Sequence, residues 1–130
     1  MLDLGFRTHD FGIKFKTADE IGKLASSFRK NACLHFAPYK AFDDAPKPLN
    51  NEWAEATKNA LSAYGVRVAI LGCYVNPVHP DSEILENELG KFENGLDVAK
   101  SLGASLVATE TGSLDARNIR CEDTWSDKNW

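Results

Sequence analysis

Residues 66–80 read VRVAILGCYVNPVHP, and residues 105–113 read SLVATETGS. Each begins as a short apolar, β-branched run and ends abruptly in small, polar or Pro-rich residues. A buried strand that delivers a loop to a surface has this pattern. Between the two runs lies one long amphipathic helix pattern, so the unit is strand, loop, helix, strand. Such a βαβ crossover implies parallel strands. It also brings Glu110 and the polar pair Asn76 and His79 out at one end of the sheet.

The N-terminal part repeats the unit. Residues 2–8 alternate and read as a first strand ending in His9 and Asp10, with Gly12 breaking the run. Thr17 and Glu20 form a T-x-x-E capping box, in which each side chain satisfies a free amide at a helix start. Ile21, Leu24, Ala25 and Phe28 follow as one helical stripe. Residues 32–37, ACLHFA, read as a second strand stopped by Pro38. Residues 41–51 hold two prolines, two aspartates and two asparagines and read as a loop. Asn50 or Asn51 then caps a helix whose inner face is Trp53, Thr57, Ala60, Leu61 and Tyr64. Gly65 ends it in the left-handed conformation. The third strand is 66–73. Asp81 or Ser82 caps a third helix with the stripe Leu85, Leu89, Phe92, Leu96, Ala99 and Leu102. Gly103 closes it before a fourth strand over 105–110. The pattern βαβαβαβ specifies an α/β fold with a parallel sheet, doubly wound or a barrel, and periodicity alone does not separate the two. Residues 1–113 form this unit; residues 114–130 are a polar tail, a truncated loop or the start of a next helix.

Composition narrows the function classes. A chain of 130 residues with 43% hydrophobic and 26% charged content suits one domain with a real core. Net charge −4 and a pI near 5.3 disfavour a nucleic-acid partner, which would favour a basic face. No run reaches the length of a membrane span, and the first residues have neither the basic head nor the apolar core of a signal peptide. Three cysteines without a CxxC pairing fit reduced thiols in a cytoplasmic protein. The glycines do not approach a dinucleotide or Walker pattern.

The segments LGFRTHD (4–10), VRVAILGCYVNPVHPD (66–81) and ATETGSL (108–114), with DVAKSLGASLV before the last, resemble the sugar phosphate isomerase/epimerase family of the xylose isomerase-like TIM-barrel superfamily. The middle segment is the most specific of the three. The resemblance runs over roughly residues 2–114 and implies the N-terminal half of a (β/α)8 barrel, since a complete one takes about 250 residues. It further implies a divalent metal, Mn or Mg, held in the complete family enzyme by Glu, Asp and His, and glutamates that exchange protons with a sugar carbon. Most of those metal ligands belong to later strands, so the expectation is that this chain alone does not bind the metal. The implied ligand is a small sugar or sugar phosphate.

Barrel enzymes work at the C-terminal ends of their strands. In this chain those ends carry His9–Asp10, His35, the segment 73–79 and Glu110. Isomerisation or epimerisation removes a proton beside a carbonyl and stabilises an enediolate. Glu110 has the type and position for the catalytic carboxylate; a structural pair with Arg7 across the mouth is the other reading. His79, in a loop stiffened by Pro77 and Pro80, and Asn76 are substrate-binding candidates beside a plain loop role. His9 shares a face with Arg7 and Gly5, and either contacts substrate or makes a structural hydrogen bond. His35 reads as a satisfied core histidine and Cys73 as a small buried thiol.

Three functions follow: the N-terminal part of a metal-dependent sugar isomerase or epimerase, inactive alone; a non-catalytic half-barrel that self-associates through its open sheet edges; or a relative with endonuclease IV-like metallohydrolase chemistry.

Overall fold

The computed structural model describes residues 5–117. Its strands are β1 (Gly5–Arg7), β2 (Cys33–Phe36), β3 (Arg67–Gly72) and β4 (Leu106–Ala108). They alternate with α1 (Ala18–Phe28), a single-turn α2 (Pro38–Ala41), α3 (Asn51–Ser62) and the long α4 (Ser82–Leu102). All neighbours pair in parallel, and the order across the sheet is β1-β2-β3-β4.

That order separates the two architectures. Right-handed crossovers that always step the same way put every helix on one face of the sheet. A doubly wound sheet must reverse its stepping direction. Steps that never reverse belong to a (β/α)8 barrel, and the described residues hold four of its strands.

Helix starts are fixed locally. Thr17 Oγ1 accepts from the Glu20 N–H at 3.3 Å, Asn50 Oδ1 from the Trp53 N–H at 2.9 Å, and Asp81 Oδ1 from the N–H groups of Glu83 and Ile84 at 3.0 Å each. The capping box at α1 is displaced by one residue. Glu20 Oε2 accepts from the Lys16 N–H at 2.8 Å, one residue before the cap. Gly103 ends α4 at φ 79°, a conformation that an L side chain resists.

The core lies between the helices and one face of the sheet. Leu34, Phe36, Val68 and Leu71 meet Ile21, Ala25, Ala54, Leu61, Val98 and Leu102 there. On the opposite face, the register aligns Gly5 with Cys33, Arg7 with His35, His35 with Ile70, Ile70 with Leu106, and Gly72 with Ala108. This is the interior face of a barrel. Its outermost apolar member, Leu106, is 61% exposed.

Several expectations change. His9 and Asp10 do not end a strand: β1 stops at Arg7, and Thr8–Phe11 is a 3-10 turn closed by Gly12 at φ 69°. Strand alternation therefore does not govern where His9 points. Pro38 ends β2 but also starts α2, because its fixed φ suits a first helical turn. The stripe expected on α4 is rotated. Its buried residues are Gly95, Val98 and Leu102, while Leu89 and Leu96 are 42% and 53% exposed. The reason is close packing, since Cys73 Sγ occupies the space that a Cβ at position 95 would need. On α1, Gly22 is buried under the Tyr64 ring, and Phe28 is exposed beside Phe6 and Phe11 at the free side of β1. The tail assigned to residues 114–130 lies outside the described residues from 118 onward.

Candidate functional site

Four successive strand ends converge on one small cavity. After β1, Thr8 is fully buried and its Oγ1 accepts from the Ala37 N–H at 3.2 Å, which fastens the 3-10 turn to the end of β2. That contact sets the position of His9. After β2 comes α2 with Lys40, after β3 comes Tyr74, and two residues past β4 stands Glu110. His9, Lys40, Tyr74 and Glu110 line a cavity of about 230 Å³.

Tyr74 is the centre of the group. Its hydroxyl lies 3.4 Å from His9 Nε2 and 3.5 Å from His35 Nε2. The His9 ring meets it edge-on with centroids 5.4 Å apart, and the His35 ring stacks on it at 6.0 Å. Lys40 Nζ is 5.9 Å from the centroid of the Tyr74 ring, within cation–π reach. A second, larger cavity of about 650 Å³, between α2 and α4, also has Tyr74 in its wall.

Burial, together with the neighbouring His9 and Arg7, holds His35 below the ordinary histidine range, which favours a neutral ring. Burial likewise raises Tyr74, so it stays a phenol near neutrality. Arg7 does not pair with Glu110. Its Nε and Nη2 donate to Asp10 at 2.9 and 2.8 Å, and this holds the Asp10 carboxyl below its usual range. Glu110 itself is exposed at the cavity rim.

Asn76 and His79 are placed elsewhere. Asn76 is 4% exposed; its Nδ2 donates to the Ser113 carbonyl at 2.7 Å and its Oδ1 accepts from the Ser113 N–H at 2.9 Å. His79 is 5% exposed and accepts at Nδ1 from the Asp81 N–H at 3.1 Å. Its Nε2 then donates to the Ala116 carbonyl at 3.3 Å. Both side chains join the loop after β3 to the loop after β4, and neither lines the small cavity. Thr109 Oγ1 adds bonds to the N–H and carbonyl of Val75, both 3.3 Å. Glu110 thus stands between two points of attachment.

Glu88 is drawn upward by burial, but Lys91 and the Asn76 N–H overcome this and leave it below its usual range. Cys73 is buried and its thiol is raised by burial, so it is no ready nucleophile. Among the described residues, no three of His, Cys, Asp and Glu are grouped to hold a metal ion. No described helix is long and apolar enough to cross a membrane.

Sequence reasoning singled out Glu110 and His9 but passed over Tyr74 and Lys40. Tyr74 had a signal, being the first polar side chain after the apolar run of β3. Lys40 had none, because it falls between the expected second strand, stopped at Pro38, and the loop read over 41–51, where no helix was expected.

The family model described as xylose isomerase-like TIM barrel matches residues 32–128, most of the chain. The chain belongs to the xylose isomerase-like TIM-barrel family. This family includes sugar isomerases and epimerases as well as endonuclease IV-like members. Neither the curated proteins nor the solved structures provide a match. In a barrel of this family the cavity at the strand ends occupies the position where chemistry takes place.

Proposed function

We propose that the chain is the N-terminal part of a sugar isomerase or epimerase, acting by proton transfer beside a carbonyl and inactive on its own. The observation that carries this reading is the cavity to which the ends of β1, β2, β3 and β4 each contribute one polar side chain: His9, Lys40, Tyr74 and Glu110. A base, a cation and two hydrogen-bonding groups around a small volume suit a polyhydroxy carbonyl compound, a small sugar or sugar phosphate.

In this reading Glu110 takes the proton from the carbon beside the carbonyl. The C–H electrons form the carbon–carbon double bond and the carbonyl oxygen takes up negative charge. Lys40 is the nearby cation for that oxygen. When the hydroxyl proton on the deprotonated carbon passes to the former carbonyl oxygen and the carbon proton returns to the former carbonyl carbon, the sugar is isomerised; return of the proton to the original carbon from the other face epimerises it. A divalent cation, Mn or Mg, would polarise the same oxygens in the complete family enzyme. The described residues do not supply its ligand set. The reading supports a cytoplasmic metabolic protein with no nucleic-acid partner.

The test is a titration of the 130-residue chain with a ketopentose and with its phosphate ester, followed by NMR. Resonances of His9, Tyr74 and Glu110 should move together, and Glu110→Gln should weaken the response at least several-fold. Perturbations confined to other residues would sink the site. Turnover with added manganese or magnesium, abolished by Glu110→Gln, would show that the chain alone is active.

A second reading is a self-associating half-barrel. The exposed Leu106 on β4, Leu96 on α4 and Phe28 beside β1 favour it, at 61%, 53% and 65%.

A further inference from the structure

The His9–Tyr74–His35 group contains more information than its distances. A phenol hydroxyl has one proton, so Tyr74 can donate to only one of the two Nε2 atoms and must accept from the other. A neutral imidazole likewise has one N–H. Two directions are therefore available, and His9 decides between them. Its Nδ1 is buried and has no hydrogen-bond partner. If His9 Nε2 accepted from Tyr74, the ring proton would sit on Nδ1 as a buried, orphaned N–H. Orphaned donors are rarer in folded proteins than under-satisfied acceptors.

We propose that Tyr74 is a positioning residue whose hydroxyl joins the two histidines in one directed chain, His9 Nε2–H to Tyr74 Oη–H to His35 Nε2. His9 is then held as its Nε2–H tautomer and His35 as its Nδ1–H tautomer. Two further observations agree. His35 is driven toward its neutral form by burial, and only a neutral ring accepts at Nε2. Gly72 leaves the His35 edge its space, because a Cβ there would lie 2.5 Å from Nε2. Arg7 and Asp10 bind each other, Lys40 lies over the Tyr74 ring, and Glu110 is a separate member of the cavity wall.

The direction has a consequence for the ligand. With its proton committed to His35 and one lone pair taken by His9, Tyr74 offers the cavity an acceptor. It selects a hydroxyl, which donates, over a bare carbonyl, which cannot. This last step rests on the sugar reading above; the tautomers do not.

Long-range 1H–15N spectra of the 130-residue chain at about pH 8, where free imidazole is neutral, test the chain directly. The sequence has three histidines, and His79 serves as the control because Asp81 and Ala116 set its tautomer independently. We expect His9 in the Nε2–H pattern and His35 in the Nδ1–H pattern. Tyr74→Phe should keep the ring packing, move both His9 and His35 toward mixed tautomers and leave His79 unchanged. An Nδ1–H pattern at His9 would overturn the proposal whether or not the variant folds. So would a folded Tyr74→Phe in which His9 and His35 keep their wild-type signals. No sugar enters the experiment, so its failure is distinct from failure of the isomerase reading.

Discussion

Asn76 and Ser113 exchange a reciprocal pair of hydrogen bonds, side-chain amide against backbone, at 2.7 and 2.9 Å across 37 residues of sequence. The asparagine imitates one rung of a strand ladder beyond the end of the sheet. Gly112, at φ 84°, lies so close beneath it that a Cβ would collide with Asn76 Oδ1. Asn94 does the same for the loop before α3, bonding both the N–H and the carbonyl of Leu49 at 2.9 Å.

Asn76→Ala should remove both hydrogen bonds from the side chain to the Ser113 backbone. At a net of about 0.5–1.5 kcal/mol for each hydrogen bond, a loss of about 1–3 kcal/mol is expected in urea unfolding. Hydrogen exchange should rise selectively over residues 109–113, the segment that bears Glu110. Unchanged exchange there would show that Thr109 alone holds the loop.

Two glycines of α4 should respond with opposite signs. Gly95→Ala pushes a methyl into Cys73 Sγ, and overpacking of this kind costs about 1–3 kcal/mol. Gly90 has nothing within 4 Å of its would-be Cβ, so Gly90→Ala should stabilise by about 0.5–1 kcal/mol. Thermal or urea unfolding of the two variants side by side checks the packing of α4 on β3.

Stability should depend on His35 in mildly acidic solution. Its folded pKa lies below the ordinary 6.5, so the unfolded chain binds the proton more readily. The contribution is complete above the unfolded value, declines as pH falls through it toward the lower folded value, and is then lost. His35→Gln should flatten the fall in unfolding midpoint between about pH 7.5 and pH 5.5. An equally steep fall in the variant would assign the slope to another group.

The 130-residue chain is expected to self-associate. An open parallel sheet presents unpaired edges, and here exposed apolar side chains stand at both of them, Phe28 against Phe6 of β1 and Leu106 on β4, with Leu96 exposed on α4. Sedimentation should show a concentration-dependent species, and Leu96→Lys with Leu106→Lys should shift it toward monomer. A compact wild-type monomer at micromolar concentration, unfolding independently of concentration, would refute this.

The alternation of strand and helix, the caps at Thr17, at Asn50 or Asn51 and at Asp81 or Ser82, and the stops at Gly65 and Gly103 were legible in the residues, because each depends on neighbours within a few positions. The family resemblance was legible for the same reason: the segments that carry it are continuous. The sequence of 130 residues also contained the choice of Glu110 and His9, since both follow apolar runs. It did not show the whole buried face of α1 and α4, although Ile21, Ala25, Thr57, Leu61 and Leu102 were among the expected inner positions. On α1 and α4 the inner positions include Gly22 and Gly95, and a glycine reads as inner only when a distant Tyr64 or Cys73 is seen filling its space. Periodicity did not separate barrel from doubly wound sheet, because strand order is a relation between segments and not a property of any one of them; only the family resemblance pointed to the barrel. The same holds for the site. Asn76 and His79 pair with backbone more than 30 residues away, and Tyr74 meets histidines from β1 and β2. Such partners are chosen by long-range packing, which local propensity does not encode.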